Sequence, residues 1–116
     1  MAADVVDRAF AALADGTRRG VIELLRKGPR RAGQLADALD VSRPALTRHL
    51  RILRESHLVD EVVDEADGRA RVYRLRRETF TKLRTWVDQI ELLWQEQLES
   101  FAAHVQKQTG GRRPSP

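Results

Sequence analysis

Arg43, Arg48, Arg51 and Arg54 fall within one short stretch, residues 42–55, that also holds Leu46, Leu50 and Leu53. A guanidinium donates two parallel hydrogen bonds to guanine O6 and N7, and a threonine meets a polar base edge or a thymine methyl, so these residue types have the chemistry of base-pair readout. With helical spacing the three leucines lie within about 60° of one another, a seam to be buried. The opposite arc holds Arg43, Pro44, Thr47, Arg48, Arg51 and Arg54, with no acid before Glu55. Residues near the start of a recognition helix reach bases and later ones reach phosphates. The predicted base contacts are therefore Arg43, Ala45, Thr47 and Arg48, and the predicted backbone contacts Ser42 and Arg51.

His49 sits at the edge of the buried arc, beside Ala45 and Ile52. A lone helical histidine is more often packed or bonded to backbone than a ligand, although here it could donate to a phosphate. Arg69 and Arg71 form a second basic group. In a strand they share one face, with Tyr73 and Leu75 continuing it inward toward a core. At a ribbon tip there is no core to cover, so both arginines are free for a phosphate or the minor groove. The bland alternatives are a solvated arginine face on the helix, and arginines paired with Asp64 or Glu65 on the ribbon.

Other chemistries lack their residues. The chain has no cysteine, which removes disulfides, thiolate metal sites and thiol redox switches. His104 has no second histidine three or four residues away, and zinc generally takes four donors. No glycine-rich phosphate loop is present, and Ser56 and His57 are sequence neighbours that point apart at a helix end. No enzyme activity, cofactor or metal is expected.

Charge points the same way. The 116 residues carry 21 Lys and Arg against 17 Asp and Glu, and the excess is concentrated in the middle. Residues 17–77 hold fifteen bases and nine acids, a balance of +6, while the flanks sum to −2. A basic block between neutral segments fits a polyanion. Asp4 and Asp7 stand where a signal peptide would be basic, and no apolar run approaches membrane-spanning length. A cytoplasmic protein with no membrane partner is expected.

The elements that must hold these side chains can be read in order. Val6, Ala9, Phe10 and Leu13 form one stripe of a first helix that ends before Asp15-Gly16. Asp15 caps a second helix carrying Val21, Ile22, Leu24 and Leu25, which stops at Gly28-Pro29. A third, at about residues 32–39, buries Leu35, Ala36 and Leu39, though Arg31 is a poor cap. Asp40-Val41 turns the chain, and Ser42 caps the fourth helix, with Pro44 tolerated in its first turn. Residues 58–64 and 70–75 are rich in Val and Tyr around Asp67-Gly68, a hairpin signal because glycine accepts positive φ. From Glu78 to about Lys107, Phe80, Leu83, Val87, Ile90, Trp94, Leu98, Phe101 and Val105 recur at helical steps, with Trp86 and Leu93 widening the apolar surface. The polar end, 108–116, is expected to be disordered.

This order predicts a mainly α chain with one small β-hairpin, a winged helix-turn-helix of the form α-α-α-α-β-β-α. One domain is expected over residues 1–107, with dimerisation helices at 1–14 and 78–107. A terminal helix of about 30 residues is about 45 Å long, more than one small domain covers. Val6, Phe10, Trp86, Ile90, Leu93, Trp94, Leu98 and Phe101 are therefore the predicted homodimer contacts. Dimerisation would space two recognition helices about one DNA turn apart.

Four motifs resemble the ArsR-type winged-helix repressors: Ala-Leu-Ala-Asp-Gly-Thr-Arg-Arg at 12–19, Gln-Leu-Ala at 34–36, Ser-Arg-Pro-Ala-Leu-Thr-Arg-His-Leu-Arg-Ile-Leu at 42–53, and Asp-Gly-Arg-Ala-Arg-Val-Tyr-Arg-Leu at 67–75. The resemblance spans residues 5 to about 105. It implies a homodimer on an inverted-repeat operator in double-stranded DNA, often near its own gene, and commonly released by an effector. Many members of that family sense metals through cysteines in the third helix or through His and carboxylate pairs in the last, and this sequence keeps neither pattern. Gly16 stands where the family usually has Pro, and His57 where Gly usually ends the recognition helix, a site where His tolerates the left-handed conformation. The alternative is a sensor whose primary activity is binding an organic ligand, or less favourably a metal, at the dimer interface near Trp86, Ile90 and Phe10, with DNA release as output.

Overall fold

Each helix begins or ends on a residue whose side chain or backbone suits the task. In the computed structural model, which describes residues 2–108, α1 runs Ala2–Leu13 and α2 Gly16–Leu25. The Asp15 carboxylate accepts from the Arg18 amide at 3.0 Å, one of the orphan donors of the first turn of α2. The helix α3, Ala32–Leu39, has no such side-chain cap, because Arg31 offers no acceptor. Gln34 serves instead: its Oε1 accepts from the Arg31 amide at 2.9 Å. Asp40 then turns the chain in the left-handed region at φ 53°, and Ser42 Oγ accepts from the Ala45 amide at 3.2 Å to open α4, Arg43–Glu55.

β1, Val59–Val63, pairs antiparallel with β2, Arg71–Leu75, in the register Val59 with Leu75, Glu61 with Tyr73 and Val63 with Arg71. Residue 30 extends this ribbon on its other side: Arg30 N–H donates to Tyr73 O at 3.1 Å and Tyr73 N–H to Arg30 O at 2.8 Å. Gly28, at φ 142°, makes the bend that delivers this segment. α5 covers Arg77–Gln108, so Gln108 is helical and the remainder of the expected tail lies outside the described residues.

Leu35, Leu46, Leu53, Leu58, Val21 and Val59 are fully buried, and Ala9, Ala12, Leu25, Ala36, Leu50 and Leu83 join them in the core. The leucine seam of α4 is thus the centre of the fold. Phe10, an expected dimer contact, is 39% exposed on α1, where Ala12 joins Ala9 in the core. One expectation needs correction. Gly68 does not take positive φ; the reversal is spread over residues 64–70 as two successive turns, Asp67 N–H to Asp64 O at 3.2 Å and Ala70 N–H to Asp67 O at 3.0 Å. Each turn is held by its aspartate, Asp64 Oδ1 accepting from Ala66 N–H and Asp67 Oδ1 from Arg69 N–H.

The chain divides into two compact units inside α5, one closing at Leu83 and the other opening at Arg84. Along the second unit, Trp86, Ile90, Leu93, Trp94, Leu98 and Phe101 are all exposed, Phe101 at 66%. In the first unit Val6 is half-buried against the core. Among the described residues, no helix is long and apolar enough to cross a membrane.

Candidate nucleic-acid interface

With Leu46, Leu50 and Leu53 inside, helical geometry turns Pro44, Thr47, Arg48 and Arg51 outward, while Ser42 and Arg43 flank the seam in the first turn; all six are exposed. Ala45 and His49, at the margin of the arc, are half-buried. The arginines are not equivalent. The side chains of Arg48 and Arg51 make no hydrogen bond or ion pair among the described residues. Arg43 leans back over α3, where a Cβ on Gly33 would stand 3.2 Å from its Nη1. Arg54 Nη1 is committed to Glu61 Oε2 at 2.7 Å.

His49 is anchored through side chains rather than backbone. Arg18 Nη1 approaches its Nδ1 at 3.2 Å, and Asp15 Oδ2 lies 3.9 Å from the same nitrogen. A guanidinium only donates, so in that contact Nδ1 is the acceptor, which leaves Nε2 as the donor a phosphate would need. Arg18 is itself fixed by its Nε bond to the Ala12 carbonyl at 2.6 Å. The Arg18 amide, with help from the nearby guanidinium, holds the Asp15 carboxyl below its ordinary value of 3.8 against a smaller opposing effect of desolvation. Position 49 is therefore built from the corner between α1 and α2.

On the ribbon, Arg71 is exposed at the outer end of a face on which Tyr73 and Leu75 turn inward to the core. Arg69 lies in the turn before β2, so strand alternation does not extend to it and does not place it on the face of Arg71. Its guanidinium is exposed and has no partner among the described residues. Neither arginine pairs with Asp64 or Glu65. Asp64 and Asp67 instead share Arg31 Nη2, each at 3.5 Å, which ties the wing tip to the start of α3. Tyr73 sits between wing and helix: burial pushes its phenol pKa up, Glu61 adds to this, and the charges of Arg54, Arg71 and Arg43 oppose it.

The sequence reading passed over Arg18, Arg31, Glu61 and Tyr73 as parts of the site. Glu61 carried a signal, an acid alternating with two valines, of which Val59 is buried and Val63 is exposed at the strand end. His57 takes the left-handed conformation at φ 59°, its carbonyl accepts from Thr79 Oγ1, and Arg76 Nη1 lies 3.0 Å from its Nδ1. Among the described residues no group of three His, Cys, Asp or Glu is placed to hold a metal.

Residues 15–61, the segment from the cap of α2 through β1, match the model of the arsR family of bacterial regulatory proteins. Over 96 residues the chain is 44% identical to the HTH-type transcriptional regulator Rv2034 of Mycobacterium tuberculosis, covering 83% of this chain and 84% of that one. The chain belongs to the ArsR family. This ArsR-family protein is also 33% identical to the arsenical resistance operon repressor of Escherichia coli, across 85% of its own length and 83% of the relative's. Its fold matches the solution structure of a homodimeric winged helix-turn-helix DNA-binding domain from Mycobacterium bovis, a possible ArsR-family regulator, with a TM-score of 0.59 at 25% identity over 84% of each chain. The protein is thus a winged helix-turn-helix transcriptional regulator, with α3 and α4 as the helix-turn-helix and β1 and β2 as the wing.

Proposed function

We propose that this ArsR-family regulator is a homodimeric repressor whose two α4 helices enter successive major grooves of an inverted-repeat operator near its own gene. The observation that carries this reading is the exposed arc of Arg43, Thr47, Arg48 and Arg51 over a fully buried leucine seam, beside an exposed Arg69 and Arg71. Arg43, Ala45, Thr47 and Arg48 take base edges in this reading. Ser42, Pro44, Arg51 and the Nε2–H of His49 lie along phosphates, and Arg69 and Arg71 reach the backbone or minor groove. α1 and α5 supply the dimer contacts, as the homodimeric relative and the exposed apolar residues of α5 support. Repression follows from occupying a promoter, needs no metal or cofactor, and accords with the repressor among its relatives.

Footprinting the purified protein on the DNA upstream of its own gene tests the reading. A protected inverted repeat is expected, with half-site centres about 34–36 Å apart. Arg48→Ala should weaken that site by about 1–3 kcal/mol, roughly 5- to 150-fold, the value of one bidentate base contact. Unchanged binding of both operator and random DNA by Arg48→Ala would show that α4 is not the reading helix.

A further inference from the structure

Glu61 places a carboxylate between the recognition helix and the wing of this basic surface. Glu61 shares a ribbon face with Val59 and Val63 on its own strand and with Leu75, Tyr73 and Arg71 across the register. Its side chain is 21% exposed, one oxygen 2.7 Å from Arg54 Nη1 and the other 3.5 Å from Arg71 Nε. One acid thus engages an arginine from the recognition helix and another from the wing. An acid here is unfavourable toward phosphates, and it also withdraws two cations that would otherwise meet them.

Non-specific DNA binding is almost wholly phosphate electrostatics, whereas base contacts carry the preference for an operator. Charge removed from Arg54 and Arg71 therefore weakens random-sequence binding while leaving Arg48 and Thr47, which Glu61 does not touch, able to read bases. We infer that Glu61 is a specificity-determining positioning residue, which holds Arg54, and Arg71 until the wing docks on an operator, back from the phosphates of random DNA and so widens the gap between operator and non-operator affinity. This inference rests on the proposal that α4 and the wing meet DNA. It assigns Glu61 a role that opposes raw affinity, so its loss should tighten binding.

The test is a salt titration of the full chain on a random-sequence duplex, read by fluorescence anisotropy, beside the same titration on the upstream duplex protected in the footprint. Glu61→Gln keeps an acceptor for Arg54 and removes the charge. It should bind random DNA several-fold tighter, and its plot of log K against log salt should steepen by about 0.9–1.8 per protomer, the release expected for one or two further phosphates. Operator affinity should rise less, so the ratio of the two falls. Glu61→Asp, which keeps the charge, should restore most of the wild-type slope. Glu61→Leu, an apolar replacement on a face that continues into the core, should behave as Glu61→Gln and serves if that variant does not fold. An unchanged or shallower slope in the charge-removing variants overturns the inference. With Arg48→Ala alongside, the two failures separate: a weakened operator complex with an unmoved Glu61→Gln slope overturns only the role of Glu61, and an unaffected operator complex overturns both.

Discussion

Asp15 performs two tasks with one carboxylate, capping α2 through the Arg18 amide and flanking His49 of the recognition helix. Folding lowers its pKa, so its contribution to stability is complete above the ordinary value of 3.8 and is lost as pH falls through the lower folded value. Asp15→Asn retains a capping oxygen without the titration. The difference in unfolding midpoint between wild type and this variant should therefore be largest above pH 4, a range about the ordinary carboxylate pKa, and should shrink on acidification. Thermal melts between neutral pH and strong acid measure it, and a difference that does not change with pH would refute the assignment. Asp15 and Ser42 were legible in the sequence because a cap is a local rule, acting within three residues. The partners Arg54 and Glu61 are also close in sequence, yet a turn of His57 in the left-handed region and a change from helix to strand intervene, so no periodicity links them.

The helix-turn-helix and the wing are separate elements joined by few but specific bonds. Gly28 directs the segment that pairs residue 30 with Tyr73, and Arg31 then reaches Asp64 and Asp67. At φ 142° a side chain is strained whatever the space around it. Gly28→Ala should cost about 1–3 kcal/mol, the usual cost of a glycine-only conformation, and loosen the wing as well as lower the melting point. Denaturant unfolding gives the first effect and amide exchange at Tyr73 the second; an alanine variant as stable as wild type would contradict the strain. The same elements show where sequence reading stops. Arg31 looked like a weak start because its acceptor is supplied by Gln34, one helical turn later. Gly68 looked like a left-handed turn residue, but five residues between Asp64 and Ala70 allow two aspartate-held turns, and neither needs positive φ.

At the scale of the whole molecule, the exposed residues of α5 and the basic face of α4 serve one proposal. Trp94, Leu98 and Phe101 are each more than half exposed in a single chain, a cost to solubility that a second copy would remove. Leu98→Glu puts a charge there without disturbing the core of the first unit. It should give monomer-sized protein by light scattering and lower operator affinity by about 10²-fold or more, since linked half-site binding is worth that much. A dimeric Leu98→Glu with full operator affinity would move the interface elsewhere. Helical periodicity made α5 plain in the sequence. Phe10 shares its stripe with the buried Ala9, and an apolar stripe alone does not distinguish a residue packed inside its own chain from one left for a partner.

The pairing of residue 30 with Tyr73 also decides which edge of the ribbon stays open. It flanks β2 on both sides, so among the described residues the open edge of the ribbon is that of β1. Open edges invite strands of neighbouring molecules to add on, and charged side chains discourage it. Asp60 and Glu61 occupy consecutive positions on that edge, both acidic. Held in ion pairs with Arg76, Arg54 and Arg71, they keep that edge charged, which disfavours the addition of a strand from a neighbouring molecule.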